Sequence, residues 1–252
     1  MKKSIKLFLL IVSSIILIIT CISLSITYQL KDVNLIEKKL INLEQKITYF
    51  DHTGQVFAEE SGDTIITKSK NIPSYTKNAF IAIEDKRFYN HNGVDYHGVM
   101  RAVFNNVKSL SLKEGASTIS QQLIKNTHLS HEKTFKRKLK ELKLTKQLER
   151  KFSKEEILEK YLNTIYFGGN CYGITAAAMH YFDKTPENLN LNESATLAAI
   201  IKAPSLYSPI TNYEKCFNRK KLVLKEMFNQ NYISKTEYEE IKDLPIEIKT
   251  EN

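Results

Sequence analysis

A mostly α-helical domain, entered through a small β-hairpin and preceded by one N-terminal transmembrane helix, is the fold this sequence predicts. Three observations predict it: a charge-free apolar run near the N-terminus, one short stretch of alternating apolar and polar residues, and helical patterning with capping signals after Pro73. Size and composition agree. A length of 252 residues suits one or two domains, and 42% apolar with 26% charged residues exclude wholesale disorder. Eight Gly and five Pro exclude a collagen-like or low-complexity chain, and three Cys are too few for a disulfide scaffold.

The apolar run comes first. Lys2, Lys3 and Lys6 precede residues 7–30, which carry no charge, and residues 7–26 are the most apolar part. Twenty helical residues span about 30 Å, the thickness of a bilayer core. Lysines before the span and no comparable cluster after it predict a cytoplasmic N-terminus, a single pass through the cell membrane and an extracytoplasmic remainder. A cleaved signal peptide fits less well, because the run is long and no A-x-A pattern follows it. A lipidated Cys21 would follow Thr20, a poor residue for that role. The predicted division is therefore a tail over 1–6, an anchor over 7–30, a stalk and hairpin over 31–75 and a catalytic domain over 76–252. An exported domain makes nucleic acid an improbable partner.

Residues 31–45 read as a short polar-apolar linker helix or stalk, with Leu35, Leu40, Ile41 and Leu43 apolar. ITYFDHTGQVFAEE then alternates around Asp51-His52-Thr53-Gly54, a hairpin signal. Beyond Pro73 helix follows helix. Ser153 with Glu156 forms a capping box before ILEKYLN, and Asn192 precedes ESATLAAIIKA, which stops at Pro204. Phe135, Leu139 and Leu142 predict the core stripe of the helix between them, with Arg137, Lys138 and Glu141 sharing another face.

Charge is concentrated in that helix. The chain carries a formal +9, and residues 133–154 hold ten Lys and Arg against Glu141 and Glu149. Such a stretch seeks phosphates, on lipid head groups or a pyrophosphate substrate. Four blocks have the residue types for chemistry. Glu84-Asp85-Lys86-Arg87-Phe88-Tyr89-Asn90-His91-Asn92-Gly93 follows the apolar NAFIAI, so Glu84 ends a helix whose other face is core. A carboxylate held against apolar surface is suited to general acid or base work, although an isolated Glu-Asp pair is usually just solvated. Gly115-Ala116-Ser117-Thr118-Ile119-Ser120-Gln121-Gln122 offers backbone N–H groups and hydroxyls to an anion, or simply caps a helix. Arg137-Lys138-Leu139-Lys140-Glu141 puts two cations one turn before a carboxylate, which alone reads as a surface ion pair. Lys154-Glu155-Glu156-Ile157-Leu158-Glu159-Lys160-Tyr161-Leu162-Asn163 looks like core scaffold.

In order and spacing, the four blocks resemble the motifs of the peptidoglycan glycosyltransferase domain of glycosyltransferase family 51: E-D-x-x-F-x-x-H-x-G, G-x-S-T-I-x-Q-Q, R-K-x-x-E and K-x-x-I-L-E-x-Y-L-N. Thr175 departs from a family Glu, and Phe217-Asn218-Arg219-Lys220 only partly matches a family Arg pair. The resemblance implies a lysozyme-like helical fold and polymerisation of lipid II into β-1,4-linked glycan strands, with release of undecaprenyl pyrophosphate. It implies Glu84 and Glu141 as catalytic carboxylates. Asp85, Phe88, His91, Ser117, Thr118, Gln121, Gln122, Lys125, Asn126, Arg137 and Lys138 are implied as substrate-binding residues. No cofactor is implied, though Glu141 could help hold a divalent cation, Mg or Mn. The implied partners are lipid II, the growing glycan strand, the membrane and proteins of cell-wall synthesis or division.

Other classes of protein fit these residues less well. A lytic enzyme would gain nothing from the cations and the Ser-Thr/Gln-Gln block, and intact Glu84 and Glu141 speak against a non-catalytic scaffold. Ser74-Tyr75-Thr76-Lys77 and Ser130-His131-Glu132-Lys133 fit S-x-x-K, but without K-T-G no transpeptidase domain is expected. His128 and His131 lack further ligands for a metal, and Cys171 and Cys216 are expected as free thiols.

Overall fold

The computed structural model describes residues 2–40, 45–50, 56–62, 66–108, 115–130, 132 and 134–249. The apolar run forms α1 (Lys2–Gln29), whose window Ile11–Tyr28 is long and apolar enough to cross a membrane and is not buried against the protein. Among the described residues of the stalk a 3-10 turn forms at Glu37–Leu40, and this part is docked rather than free. Leu40 is buried, Val33 and Leu35 pack on the core, the Lys143 ammonium donates to the Leu30 carbonyl at 2.5 Å, and Leu35 N donates to Gln147 Oε1 at 2.8 Å. Ile41 and Leu43 lie outside the described residues.

The hairpin is present as β1 (Gln45–Phe50) and β2 (Val56–Gly62), antiparallel with Gln45 opposite Gly62 and a shift of register between Tyr49 and Phe50. Its turn, 51–55, lies outside the described residues. The helices that follow are α2 (Ser74–Glu84), α3 (Tyr96–Lys108), α4 (Ile119–His128), α5 (Phe135–Lys151), α6 (Lys154–Leu162), α7 (Ile174–Phe182), α8 (Leu191–Ile200), α9 (Tyr213–Asn229) and α10 (Lys235–Ile241). Among the described residues the protein is thus mostly helical, as the sequence predicts.

The core is built on α8, which buries every residue except Asn192 and packs between α2 and α9. Its Ala, Ser and Thr side chains permit close approach, and Thr76 and Ser194 share a buried hydroxyl contact of 2.8 Å between α2 and α8. A second group forms where α4 packs on α5 and α6. Lys220 of α9 is fully buried and donates to the Leu244 carbonyl; burial pushes its ammonium down to about 8.

Two sequence expectations need correction. The N-cap of α8 is Asn190, whose side chain accepts from Glu193 N at 2.9 Å while Glu193 reaches back to Asn190 N at 2.8 Å; Asn192 instead donates to the Pro245 carbonyl. The core face of α5 is Glu141, Leu144, Thr145 and Leu148, whereas Leu139 and Leu142 are half-buried and Phe135 is 75% exposed. The expected capping box of Ser153 and Glu156 does open α6.

Candidate active site

Glu84 is the last residue of α2, fixed because Ala79, Phe80, Ile81 and Ala82 sink the preceding turn into the core. The chain then turns inward. Asp85 is buried and accepts from His91 Nε2 at 2.9 and 3.1 Å and from Ile119 N, at the start of α4, at 3.0 Å. Gly93 N donates to His91 Nδ1 at 3.1 Å, so the imidazole carries its proton on Nε2, facing Asp85. Thr118 Oγ1 donates to the Gly93 carbonyl at 2.6 Å and caps α4 in a reciprocal box with Gln121. The first two motifs are therefore interlocked by buried hydrogen bonds.

From this frame Gln122 reaches Glu84, backed by Tyr161 of α6. Gln122 Nε2 donates to Glu84 Oε2 at 2.7 Å, and Tyr161 Oη donates to Gln122 Oε1 at 3.3 Å. Tyr161 is fully buried; burial first, then the charges of Glu84 and Asp85, push its phenol well above the usual value of 10.0. It stays a donor, which fixes the amide with its NH₂ toward the carboxylate. Glu84 opens on a 90 Å³ cavity whose walls include Gly98 and Arg101 of α3 and Ser117 of the loop before α4. Arg87 bonds Asp95 within the segment between α2 and α3. Burial pushes the Asp95 carboxyl up, but the Arg87 hydrogen bond and charge, with the Gly98 N–H, outweigh it and leave the group below its usual range.

A second cluster lies on α5. Arg137 Nη1 donates to Glu141 Oε2 at 3.0 Å and Lys138 Nζ donates to Oε1, while the Glu141 residue is only 2% exposed. Both carboxylate oxygens are engaged by cations, and no group of three or more His, Cys, Asp or Glu that could hold a metal ion occurs among the described residues. The divalent cation considered for Glu141 is thus possible but not shown. His131 lies outside the described residues. Cys171 and Cys216 are free, and burial pushes their thiols up to about 11 and about 12.

Several expected substrate contacts are buried: Asp85, Phe88, His91, Thr118 and Gln121. Phe88 has the Lys154 ammonium 4.6 Å over its ring, and Lys154 pairs with Glu149 at 2.8 Å, which ties the first motif to the fourth. Ser117, Lys125 and Asn126 are exposed, and Gln122 is half-buried. The fourth motif clamps the segment entering the domain: Asn163 exchanges two 2.9 Å bonds with the backbone of Thr67, and Glu159 accepts from Ser69 N at 2.7 Å. Thr175, the departure from the family Glu, bonds the Thr67 hydroxyl at 2.6 Å. The sequence reading missed Arg101 and the hydrogen bond of Tyr161. The one signal for the latter was a phenol on an otherwise apolar helix face.

A family model described as transglycosylase matches residues 52–228, most of the chain and all four motifs. The chain belongs to the transglycosylase family. It is 43% identical over 228 residues to penicillin-binding protein 1A of Clostridium tetani, covering 85% of this chain and 29% of that protein. It is 46% identical over 202 residues to penicillin-binding protein 1F of Bacillus subtilis, covering 80% of this chain and 28% of that protein. A crystal structure of penicillin-binding protein 1A from Haemophilus influenzae aligns with a TM-score of 0.49 and 25% identity, over 84% of this chain and 22% of that one. The transglycosylase chain thus spans less than a third of the length of these relatives.

Within the transglycosylase frame Gly93 has a specific steric duty. Its φ is +90°, and an added Cβ would stand 2.7 Å from Thr145 Cγ2 and 3.0 Å from Glu149 Cγ. Gly93→Ala is expected to destabilise the domain by roughly 2–4 kcal/mol, from positive-φ strain and overpacking together. Calorimetry checks this; an unchanged melting temperature would show that the loop moves aside freely.

Proposed function

We propose that this chain is a peptidoglycan glycosyltransferase that polymerises lipid II into β-1,4-linked glycan strands and releases undecaprenyl pyrophosphate. The observation that carries this reading is Glu84, ending a buried helix, oriented by Gln122 and Tyr161, and open to a cavity beside Arg101 and Ser117. Glu84 takes the proton from the acceptor sugar's 4-hydroxyl. That oxygen bonds to the anomeric carbon of the growing strand while the bond from that carbon to the α-linked pyrophosphate breaks, inverting the centre. The leaving group departs with the electron pair, and Lys125, Arg137 and Lys138 stabilise its charge. Glu141 holds Arg137 and Lys138 in place; the buried Asp85, Phe88, His91, Thr118 and Gln121 act as positioning residues, while Ser117, Gln122 and Asn126 face the substrate.

A membrane-held substrate suits two features of the chain. The α1 helix would be a single-pass anchor with a cytoplasmic N-terminus. The α3 helix exposes Tyr96, Met100, Val103 and Phe104 at i, i+4, i+7 and i+8 while its Gly98 and Arg101 line the cavity, so an unpartnered apolar stripe adjoins the site. Purified full-length chain incubated with labelled lipid II should yield polymer that a muramidase degrades. Persistence of unreacted lipid II with correctly folded chain would overturn the reading.

A further inference from the structure

A second cavity, 340 Å³ in volume, lies between the docked stalk and the start of α5, within the size range of small-ligand sites. Among the described residues it shares no lining residue with the cavity at Glu84. Among its described lining residues, Lys39, Lys136, Arg137 and Lys140 stand against only Asp32 and Glu132. Among the described residues Lys39, Lys136 and Lys140 have no ion-pair partner, and Arg137 Nε is buried without a hydrogen-bond partner. Thr134, the N-cap of α5, also lines the cavity, and α5 opens with three cations and no acid in its first turn. Cations at the positive end of a helix dipole oppose it, and an anion seated there would relieve both the dipole and the repulsion.

The position of the cavity selects the kind of anion. Asp32, Val33 and Asn34 line it, and they follow within six residues of Tyr28, the end of the apolar window of α1. If α1 spans the bilayer as proposed, the cavity sits at the depth of the head groups. We propose that this stalk–α5 cavity binds the phosphate of an anionic phospholipid head group, and so seats the catalytic domain on the membrane surface. Of the proposed leaving-group cations only Arg137 is common to both, because Lys125 and Lys138 do not line this cavity.

The test is native mass spectrometry of the full chain in detergent, titrated with dioleoyl phosphatidylglycerol or dioleoyl phosphatidylcholine. Phosphatidylglycerol adducts should dominate. Lys136→Gln with Lys140→Gln should cut that preference roughly thirtyfold, the loss of two cationic contacts. Lys146→Gln with Arg150→Gln removes the same charge from α5 outside the cavity and should leave the preference unchanged. No preference for the anionic lipid, or equal losses in both double variants, would overturn the proposal. Displacement of the lipid by millimolar inorganic phosphate would overturn the lipid as occupant and assign the cavity to free phosphate. The readout needs neither lipid II turnover nor a bilayer, so its failure is separable from failure of the glycosyltransferase or anchor readings, which polymer formation and membrane fractionation report.

Discussion

Glu84→Gln is expected to leave the fold intact while cutting glycan polymerisation by about 10²–10⁴-fold, the usual cost of removing a general base. The geometry explains why the two effects separate. Glu84 is half-buried at the end of α2, and its one described polar contact is the 2.7 Å bond from Gln122 Nε2. A glutamine oxygen accepts that bond equally well, so no buried donor is orphaned and no charge loses its partner. Size and helix propensity are nearly kept, so the stability change should stay within about 0.5 kcal/mol. What is lost is the ability to accept a proton. The paired measurement is initial rate on labelled lipid II and melting temperature by calorimetry. A variant that polymerises at the normal rate would remove Glu84 from the mechanism, whereas one that melts far below the parent would show a structural role that the contacts do not suggest.

How much of this was legible in the sequence depended on whether the deciding interaction was local. The hairpin and the cap of α6 were readable because alternation and the Ser153–Glu156 spacing act within a few residues. The start of α8 was legible in principle. Asn190 and Asn192 compete as caps, and only Asn190 has a Glu three residues on to close the box, so the rule that found Ser153 also selects Asn190. The core face of α5 was not legible by counting apolar residues. Phe135, Leu139 and Leu142 make a helical stripe, yet the buried stripe runs through Glu141, Leu144, Thr145 and Leu148. A carboxylate satisfied by two neighbouring cations occupies a core position that hydrophobic patterning assigns to a Leu. The same holds at Glu84: its identity was readable from the motif, but its orientation depends on Gln122 and Tyr161, 38 and 77 residues away along the chain. The buried state of Asp85 and His91 was hidden for the same reason, since both are satisfied by partners that only the folded chain brings together.

The burial of Glu141 makes the second large expected effect. Replacing it with Leu matches the apolar neighbours Leu144 and Leu148 but strips both cations of their acceptor. Lys138, with a side chain 42% exposed, can turn to water; Arg137, at 18%, largely cannot. Removing one partner of a buried pair costs about 3–5 kcal/mol, and the exposure of Lys138 argues for the lower end. At about 2–4 °C per kcal/mol for a domain of this size, Glu141→Leu should melt roughly 6–12 °C below the parent. Adding Arg137→Met removes the orphaned charge and should restore most of that stability, because a hydrophobic replacement of a buried ion pair is often neutral or better. Polymerisation should not return with it, since the double variant lacks a cation proposed to stabilise the departing pyrophosphate. That divergence distinguishes a cluster kept for chemistry from one kept for packing: if stability and activity recovered together, the Arg137–Glu141 pair would serve the fold alone.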